Sequence, residues 1–227
     1  MIDLPVGLPS ELVPLSWLIG VWEGSGVLEY KIGDESVSRT FGHRISFSHD
    51  GLPHLNYSSY TWLEPDAPAA SSEADADAAA PALSASNLSD AMLSGDKFPL
   101  VTETGYWRLS RHQGDGDPGP GMLPGTGERP FTSAAAVETL RNRDGGFDIE
   151  VTLVHPGGVA ELYLGQVKGP RIDLATDAVL RTVGAKPYAA ATRLYGLVDN
   201  HLLWAWDIAA LGQDLRTHSS GRLARVE

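Results

Sequence analysis

Short segments in which apolar and polar residues alternate recur along most of this chain. In 147–153 and 202–208 every second residue is apolar or aromatic. A period of two is typical of β-strands, because successive side chains point to opposite faces. By the same criterion, further strands are predicted over 24–31, 38–48, 55–63, 101–110, 135–142, 160–168, 171–175, 179–184, 189–198 and 215–226.

Turn-forming residues separate several of these segments, and hairpin turns are expected there. Only Pro9 to Ile19 has a helical pattern, with Ser10 as its candidate N-cap and Pro14 limiting its length. About ten antiparallel strands and one short N-terminal helix predict an all-β closed barrel, with a two-sheet sandwich as the alternative. The predicted turns are Asp144-Gly145-Gly146, Pro156-Gly157-Gly158, Lys168-Gly169-Pro170 and Asp199-Asn200.

Two segments differ in composition from the rest. Residues 66–97 contain eleven alanines and few large apolar groups, and 112–130 contain six glycines and four prolines. Such segments bury too little apolar surface to order themselves, so both are predicted to be mobile insertions in hairpin loops. The chain is therefore expected to form a single barrel domain over 1–227 that carries two loop insertions.

The stretch Gly20-Val21-Trp22-Glu23-Gly24-Ser25-Gly26 gives the pattern G-x-W-x-G-x-G at the start of the first predicted strand. Glycines at Gly20, Gly24 and Gly26 let the backbone bend and leave room for a neighbouring side chain or a ligand. An aromatic side chain at Trp22 is expected to plug the closed end of the barrel.

Composition excludes several classes of function. There is no cysteine, which excludes disulfides, thiolate ligation of haem and cysteine-bound zinc. A net charge of −12 without a basic cluster makes nucleic acid and anionic membranes poor partners. No apolar stretch of about eighteen residues predicts a membrane span. The N-terminus lacks the pattern of a signal peptide, so a cytoplasmic location is expected.

Several ordered blocks resemble the nitrobindins, haem proteins with a ten-stranded barrel akin to the fatty-acid-binding proteins. The similarity covers most of the chain apart from the two insertions. Besides the Gly20–Gly26 motif, the blocks that carry it are Pro14–Ile19, Phe47-Ser48-His49-Asp50-Gly51, Glu103–Arg108, His155–Gly158, Ala185-Lys186, Arg193-Leu194-Tyr195 and Ala209–Leu223.

The resemblance implies a cytoplasmic protein that holds one haem b per chain. His218 corresponds to the axial ligand of the iron, and Lys186 to a lysine that pairs with a haem propionate. The implied activity is binding of nitric oxide and isomerisation of peroxynitrite to nitrate, with no catalytic group beyond the haem iron. A homodimer is left open. Small residues of the same parity as His218, namely Ser220 and Ala224, are expected to leave space for the macrocycle.

Two alternatives stay open. One is a carrier of fatty acid or another small apolar ligand, in which Arg193 and Tyr195 bind a carboxylate inside the barrel. The other is a haem store or sensor. Among the remaining histidines, His49 is a candidate for approaching the distal side of a haem pocket. His155 is expected to make a structural hydrogen bond, and His43 has no partner pattern.

Overall fold

This computed structural model describes residues 7–32, 35–63, 97–210 and 216–226. Ten antiparallel strands make up most of this part of the chain. Each strand pairs with the next, and pairing of the first with the last closes the barrel. The predicted closed barrel is confirmed and the sandwich alternative is wrong. The strands are β1 (Gly20–Ile32), β2 (Glu35–Ser48), β3 (Leu55–Leu63), β4 (Phe98–Leu109), β5 (Phe147–His155), β6 (Val159–Val167), β7 (Arg171–Arg181), β8 (Tyr188–Val198), β9 (His201–Ala210) and β10 (Arg216–Arg225).

The predicted N-terminal helix is present as a 3-10 helix, Ser10–Leu18. The prediction of Ser10 as its N-cap is wrong. Pro9 is the capping residue, and the Ser10 hydroxyl instead donates to the carbonyl of Thr132 at 3.0 Å. Pro14 lies inside this helix and lacks an N–H, which is tolerated in a short 3-10 segment. No helix in the described ranges is long and apolar enough to span a membrane.

Three of the predicted strands differ from the structure. The segment predicted as a strand over 135–142 contains helix α1, Ala134–Glu138, because alanine favours helix and the Ser133 hydroxyl caps it by accepting from Ala136 N at 3.2 Å. The segments 171–175 and 179–184 are joined in one strand, β7.

Three of the four predicted hairpin turns join consecutive strands, whereas Asp144-Gly145-Gly146 is a turn that connects α1 to β5. Backbone conformation explains the composition of these turns. Gly145, Gly158 and Gly169 have φ values of 79°, 80° and 57°. Asp199 and Asn200 also have positive φ, 49° and 60°, as a two-residue type I′ hairpin requires.

Side chains of the N-terminal helix fill one end of the barrel. Leu12, Leu15 and Leu18 are fully buried and belong to the same core as the strand residues. Trp22 is buried beside them, and its indole N–H donates to the carbonyl of Leu18 at 2.7 Å. This closed end lies where β2 ends and β3 begins. The opposite end, called the mouth below, lies where β5 ends and β10 begins.

The insertion at 112–130 lies at the closed end and is tied to the N-terminal helix by a buried ion cluster. Arg111 donates to Asp117 Oδ1 at 2.6 Å and forms an ion pair with Glu11. The hydrogen bond from Arg111 holds the pKa of Asp117 at about 2, so the carboxylate is ionised at neutral pH. A short 3-10 helix, Pro120–Met122, also lies in this insertion. The other insertion, 66–97, falls outside the described residues except for Lys97.

Replacing 112–130 with a short Gly-Ser turn should lower stability without affecting the mouth of the barrel. Loss of Asp117 removes a charged hydrogen-bond partner of Arg111, which costs about 2 kcal/mol. Urea unfolding should show this loss, and Asp117→Asn should reproduce most of it. Binding of added haemin should be unchanged. Undiminished stability of both variants, or loss of haemin binding by the turn replacement, would contradict the assignment of this loop to the closed end.

Candidate functional site

Two neighbouring cavities lie at the mouth. The inner one has a volume of about 170 Å³, and its lining includes His218 and His43. The outer one has a volume of about 530 Å³, and its lining includes Lys186. Both cavities are lined largely by apolar and aromatic side chains. The residues that line both are Leu100, Val101 and Trp206.

A β-bulge sets the direction of His218. In the pairing of β10 with β9, Thr217 is opposite Asp207 and Ser219 is opposite Trp206, so His218 is the additional residue. A bulge changes the direction of a side chain that regular alternation would place on the other face. His218 is half-buried, and its ring packs edge-on against Trp206 at 5.8 Å between centroids. The bulge thus brings this imidazole into the lining of the inner cavity.

The same bulge corrects the expectation about the neighbours of His218. Ser220 and Ala224 are exposed on the outer surface, so they leave no space inside the barrel. The small residues on the inner side are Ser219, which is buried, and Gly221. A Cβ atom at Gly221 would lie 2.7 Å from Nε1 of Trp204. Gly221 therefore lets this indole pack against β10.

The motif glycines shape the barrel wall. Gly20 has a φ of 130°, which favours glycine. A Cβ atom at Gly24 would lie 2.3 Å from the carbonyl oxygen of Arg222, and one at Gly26 would lie 2.7 Å from the ring of Phe41. In the described part of the chain these glycines do not line either cavity. Gly24 and Gly26 allow β1 to approach β10 closely, and so they support the strand that carries His218.

Lys186 lies in the turn between β7 and β8, at the rim of the outer cavity. Its side chain is exposed, and its carbonyl accepts a hydrogen bond from Arg181 Nη1 at 3.2 Å. His218 and Lys186 are therefore placed at the same end of the barrel, in the linings of the inner and the outer cavity respectively.

A buried ionic network crosses the barrel below the mouth. Arg193 donates to both carboxylate oxygens of Glu103, at 2.6 and 2.9 Å, and to Glu161 at 3.4 Å. His155 Nε2 lies 2.7 Å from the second carboxylate oxygen of Glu161. The hydroxyl of Tyr57 donates to Glu103 at 2.6 Å. Tyr163 donates to Glu161 at 2.6 Å, and Tyr188 also donates to Glu161.

The network keeps its carboxylates ionised despite burial. Desolvation raises the pKa of Glu103, but the charge of Arg193 and its hydrogen bonds outweigh this effect and hold the pKa at about 2. Desolvation likewise opposes ionisation of Glu161, and the hydrogen bond with His155 and the charge of Arg193 lower its pKa overall. Glu103, His155 and Glu161 are close enough to hold a metal ion. Because Arg193 already pairs with both carboxylates, the arrangement is that of a structural ion pair.

His43 lies on the inner face of β2, between Phe41 and Ile45. Its Nε2 is 2.8 Å from the hydroxyl of Ser59, and its ring packs edge-on against Trp204 at 4.8 Å. Nδ1 is buried and has no hydrogen-bond partner among the described protein atoms. Desolvation by burial lowers the pKa of His43 to about 4, although the charge of Glu103 opposes the shift.

The role of His43 and the ionic network were not predicted from the sequence. The alternation Phe41, His43, Ile45, Phe47 already indicates that His43 shares the apolar face of its strand. His49, which was the distal candidate, instead follows the last residue of β2 at the closed end, where its Nδ1 accepts from Gly51 N at 3.2 Å.

Burial of neutral His43 should make the protein less stable in acid. Between pH 6.5 and about 4 the unfolded chain binds a proton at His43 that the folded chain does not, so stability falls as pH falls through this window. The full contribution is about 3 kcal/mol. Urea unfolding at pH 7 and pH 4 should show a smaller loss for His43→Gln than for the wild type. Equal losses would contradict the buried neutral state of His43.

Comparisons with known proteins agree with this geometry. The chain is 65% identical to the peroxynitrite isomerase of Clavibacter michiganensis subsp. michiganensis (strain NCPPB 382), and 65% to that of Clavibacter sepedonicus. It is 60% identical to the peroxynitrite isomerase of Leifsonia xyli subsp. xyli (strain CTCB07). Each alignment spans 227 residues and covers 100% of both chains.

A solved structure and a family model also match the chain. The crystal structure of Rv2717c from M. tuberculosis has a TM-score of 0.60 at 23% identity, covering 99% of this chain and 100% of that one, which shows a common fold. The nitrobindin resemblance is confirmed for the haem-binding barrel. Because the model of the THAP4-like, heme-binding beta-barrel domain matches residues 11–225, the chain belongs to that family.

Proposed function

We propose that this chain is a haem b protein that isomerises peroxynitrite to nitrate, with His218 as the axial ligand of the iron. The observation that carries the proposal is the β-bulge that turns the His218 imidazole into an apolar cavity at the barrel mouth. Three relatives at 60 to 65% identity over their full length carry the name of this activity. Reversible binding of nitric oxide at the same iron is part of the proposal.

The side chains at the mouth fit a haem. A neutral imidazole is a common axial ligand of haem iron, and His218 is half-buried, with its ring fixed by Trp206. The outer cavity offers a largely apolar lining of Leu100, Val101 and Ile208 for the macrocycle. Exposed Lys186 at the rim is a suitable partner for a propionate, which is an anion that stays in contact with water.

When bound, ferric haem would supply a Lewis acid for the reaction of peroxynitrite. The protein's contribution is to hold that group and to shape its surroundings. His218 would hold the iron, Trp206 would limit rotation of the imidazole, and the apolar residues of both cavities would exclude water. No side chain is required as a general acid or base, so activity should depend on His218 far more than on the other histidines.

The ionic network argues against a fatty-acid carrier. Arg193, the residue that would bind a fatty-acid carboxylate, is already paired with Glu103 and Glu161. Both terminal nitrogens of its guanidinium already donate to carboxylate oxygens, so they are not available to the carboxylate of a fatty acid. Tyr195 is fully buried edge-on against Trp107 and does not replace the arginine. The haem store or sensor differs from the enzyme only in activity. A homodimer and a cytoplasmic location stay predictions from the sequence.

The proposal is tested by peroxynitrite decay followed in a stopped-flow instrument, with nitrate yield measured on the same samples. Haemin-loaded wild-type protein should accelerate the decay and raise the nitrate yield, whereas the apo protein should do neither. His218→Ala should remain folded, lose the five-coordinate ferric spectrum and lose most of the acceleration.

The matched control is His201→Ala, because His201 lies at the opposite end of the barrel, at the start of β9. This variant should keep the wild-type spectrum and rate. If haem-loaded and apo protein accelerate decay equally, the enzyme proposal is wrong. If haem binds normally without acceleration, a haem store or sensor is the better description.

A further inference from the structure

Buried nitrogen atoms without a hydrogen-bond partner among the described protein atoms occur in the lining of the inner cavity. Trp206 lines it, and the indole Nε1 of this residue is buried without a hydrogen-bond partner among the described protein atoms. An indole N–H is a donor only. The second unpartnered nitrogen in this lining is Nδ1 of His43, a residue that is 3% exposed. Buried polar groups in folded proteins are nearly always paired, so two unpartnered nitrogens in one cavity indicate a polar ligand.

His43 can also act as a donor in this cavity. Its Nε2 pairs with the Ser59 hydroxyl, which is able to donate or to accept. When the hydroxyl donates to Nε2, the proton of the neutral imidazole resides on Nδ1. The ring is held in place from a second side by Trp204, at 4.8 Å between centroids. Nδ1 is therefore held in a fixed position and lacks a hydrogen-bond partner among the described protein atoms.

Size and charge narrow the class of ligand. A volume of about 170 Å³ accommodates a molecule of a few heavy atoms, since one water molecule occupies roughly 30 Å³. The remaining lining is largely apolar, with Leu28, Phe41 and Leu100 among its residues. Glu103 and Arg193 also belong to the lining, and the charge of the carboxylate is balanced by its bidentate pairing with the guanidinium. A small molecule rich in acceptor atoms suits such a site.

We propose that His43 is a ligand-binding residue of the inner cavity and that its Nδ1–H donates a hydrogen bond to a small oxyanion or nitrogen oxide bound there. The inference rests on the proposed function, because His218, the proposed haem ligand, lines the same cavity. It adds a directional contact to a pocket whose other contacts with the small ligand are mainly apolar. The haem is held by His218, and the small ligand is oriented by His43.

Azide, a small linear anion, is the probe for the test. Its dissociation constant for the haemin-loaded ferric protein is measured by absorbance titration. Removing one neutral hydrogen bond in His43→Leu should weaken azide binding by roughly two- to tenfold. His43→Gln retains an N–H donor and should lose less. Ser59→Ala keeps the imidazole but frees it, and should give an intermediate loss. The Ser59→Ala variant also keeps the test valid if His43→Leu does not fold.

The matched control is His49→Gln. His49 directly follows β2, the strand that contains His43, but it lies at the closed end of the barrel. The azide affinity of this variant should therefore be unchanged. Haemin affinity should be that of the wild type in all variants. Wild-type azide affinity in haem-loaded His43→Leu and Ser59→Ala would overturn the role of His43 and leave the proposed function standing. Failure of the wild-type protein to bind haemin at all would overturn the proposed function, and the His43 proposal with it.

Discussion

The pairing of Arg193 with Glu103 is the interaction on which the arrangement of the barrel depends. It links β8 to β4 across the interior through two hydrogen bonds, and Glu161 extends it to β6. Charges buried in this way are stable only as a complete set, because removal of one partner leaves the others desolvated and unpaired. The network divides the interior into an apolar closed end, filled by the N-terminal helix and Trp22, and a mouth with two cavities.

Trp206 connects this network to the candidate site. One face of its ring lies 4.5 Å from the guanidinium of Arg193, and its edge packs against His218. The position of the imidazole thus follows from two features of the wall: the bulge in β10 that turns His218 inward, and an indole fixed from below by a buried charge. The motif glycines add a third feature, because Gly24 and Gly26 let β1 approach the strand that contains the bulge.

Much of the fold follows from local sequence patterns. Period-two alternation predicted nearly all the strands, and the glycine turns marked their ends. The alanine-rich segment after Ser133 was mistaken for a strand, since its apolar residues fit either structure and the cap decides. The candidate site was harder to predict from the sequence. The parity of Ser220 and Ala224 predicted the wrong neighbours for His218, because the alternation of apolar and polar residues in the sequence does not reveal the additional residue of a β-bulge. Glu103, Glu161 and Arg193 come from three strands, and only closure of the barrel brings them together.

The account is tested most directly by locating the iron. Crystals of the haemin-loaded protein, measured at the iron absorption edge, should give one strong anomalous peak per chain within bonding distance of a His218 imidazole nitrogen, at the barrel mouth. A peak bonded to His43 or His155, or one that lies on the outer surface of the barrel, would contradict the assignment of His218 as the iron ligand and of the barrel mouth as the haem site.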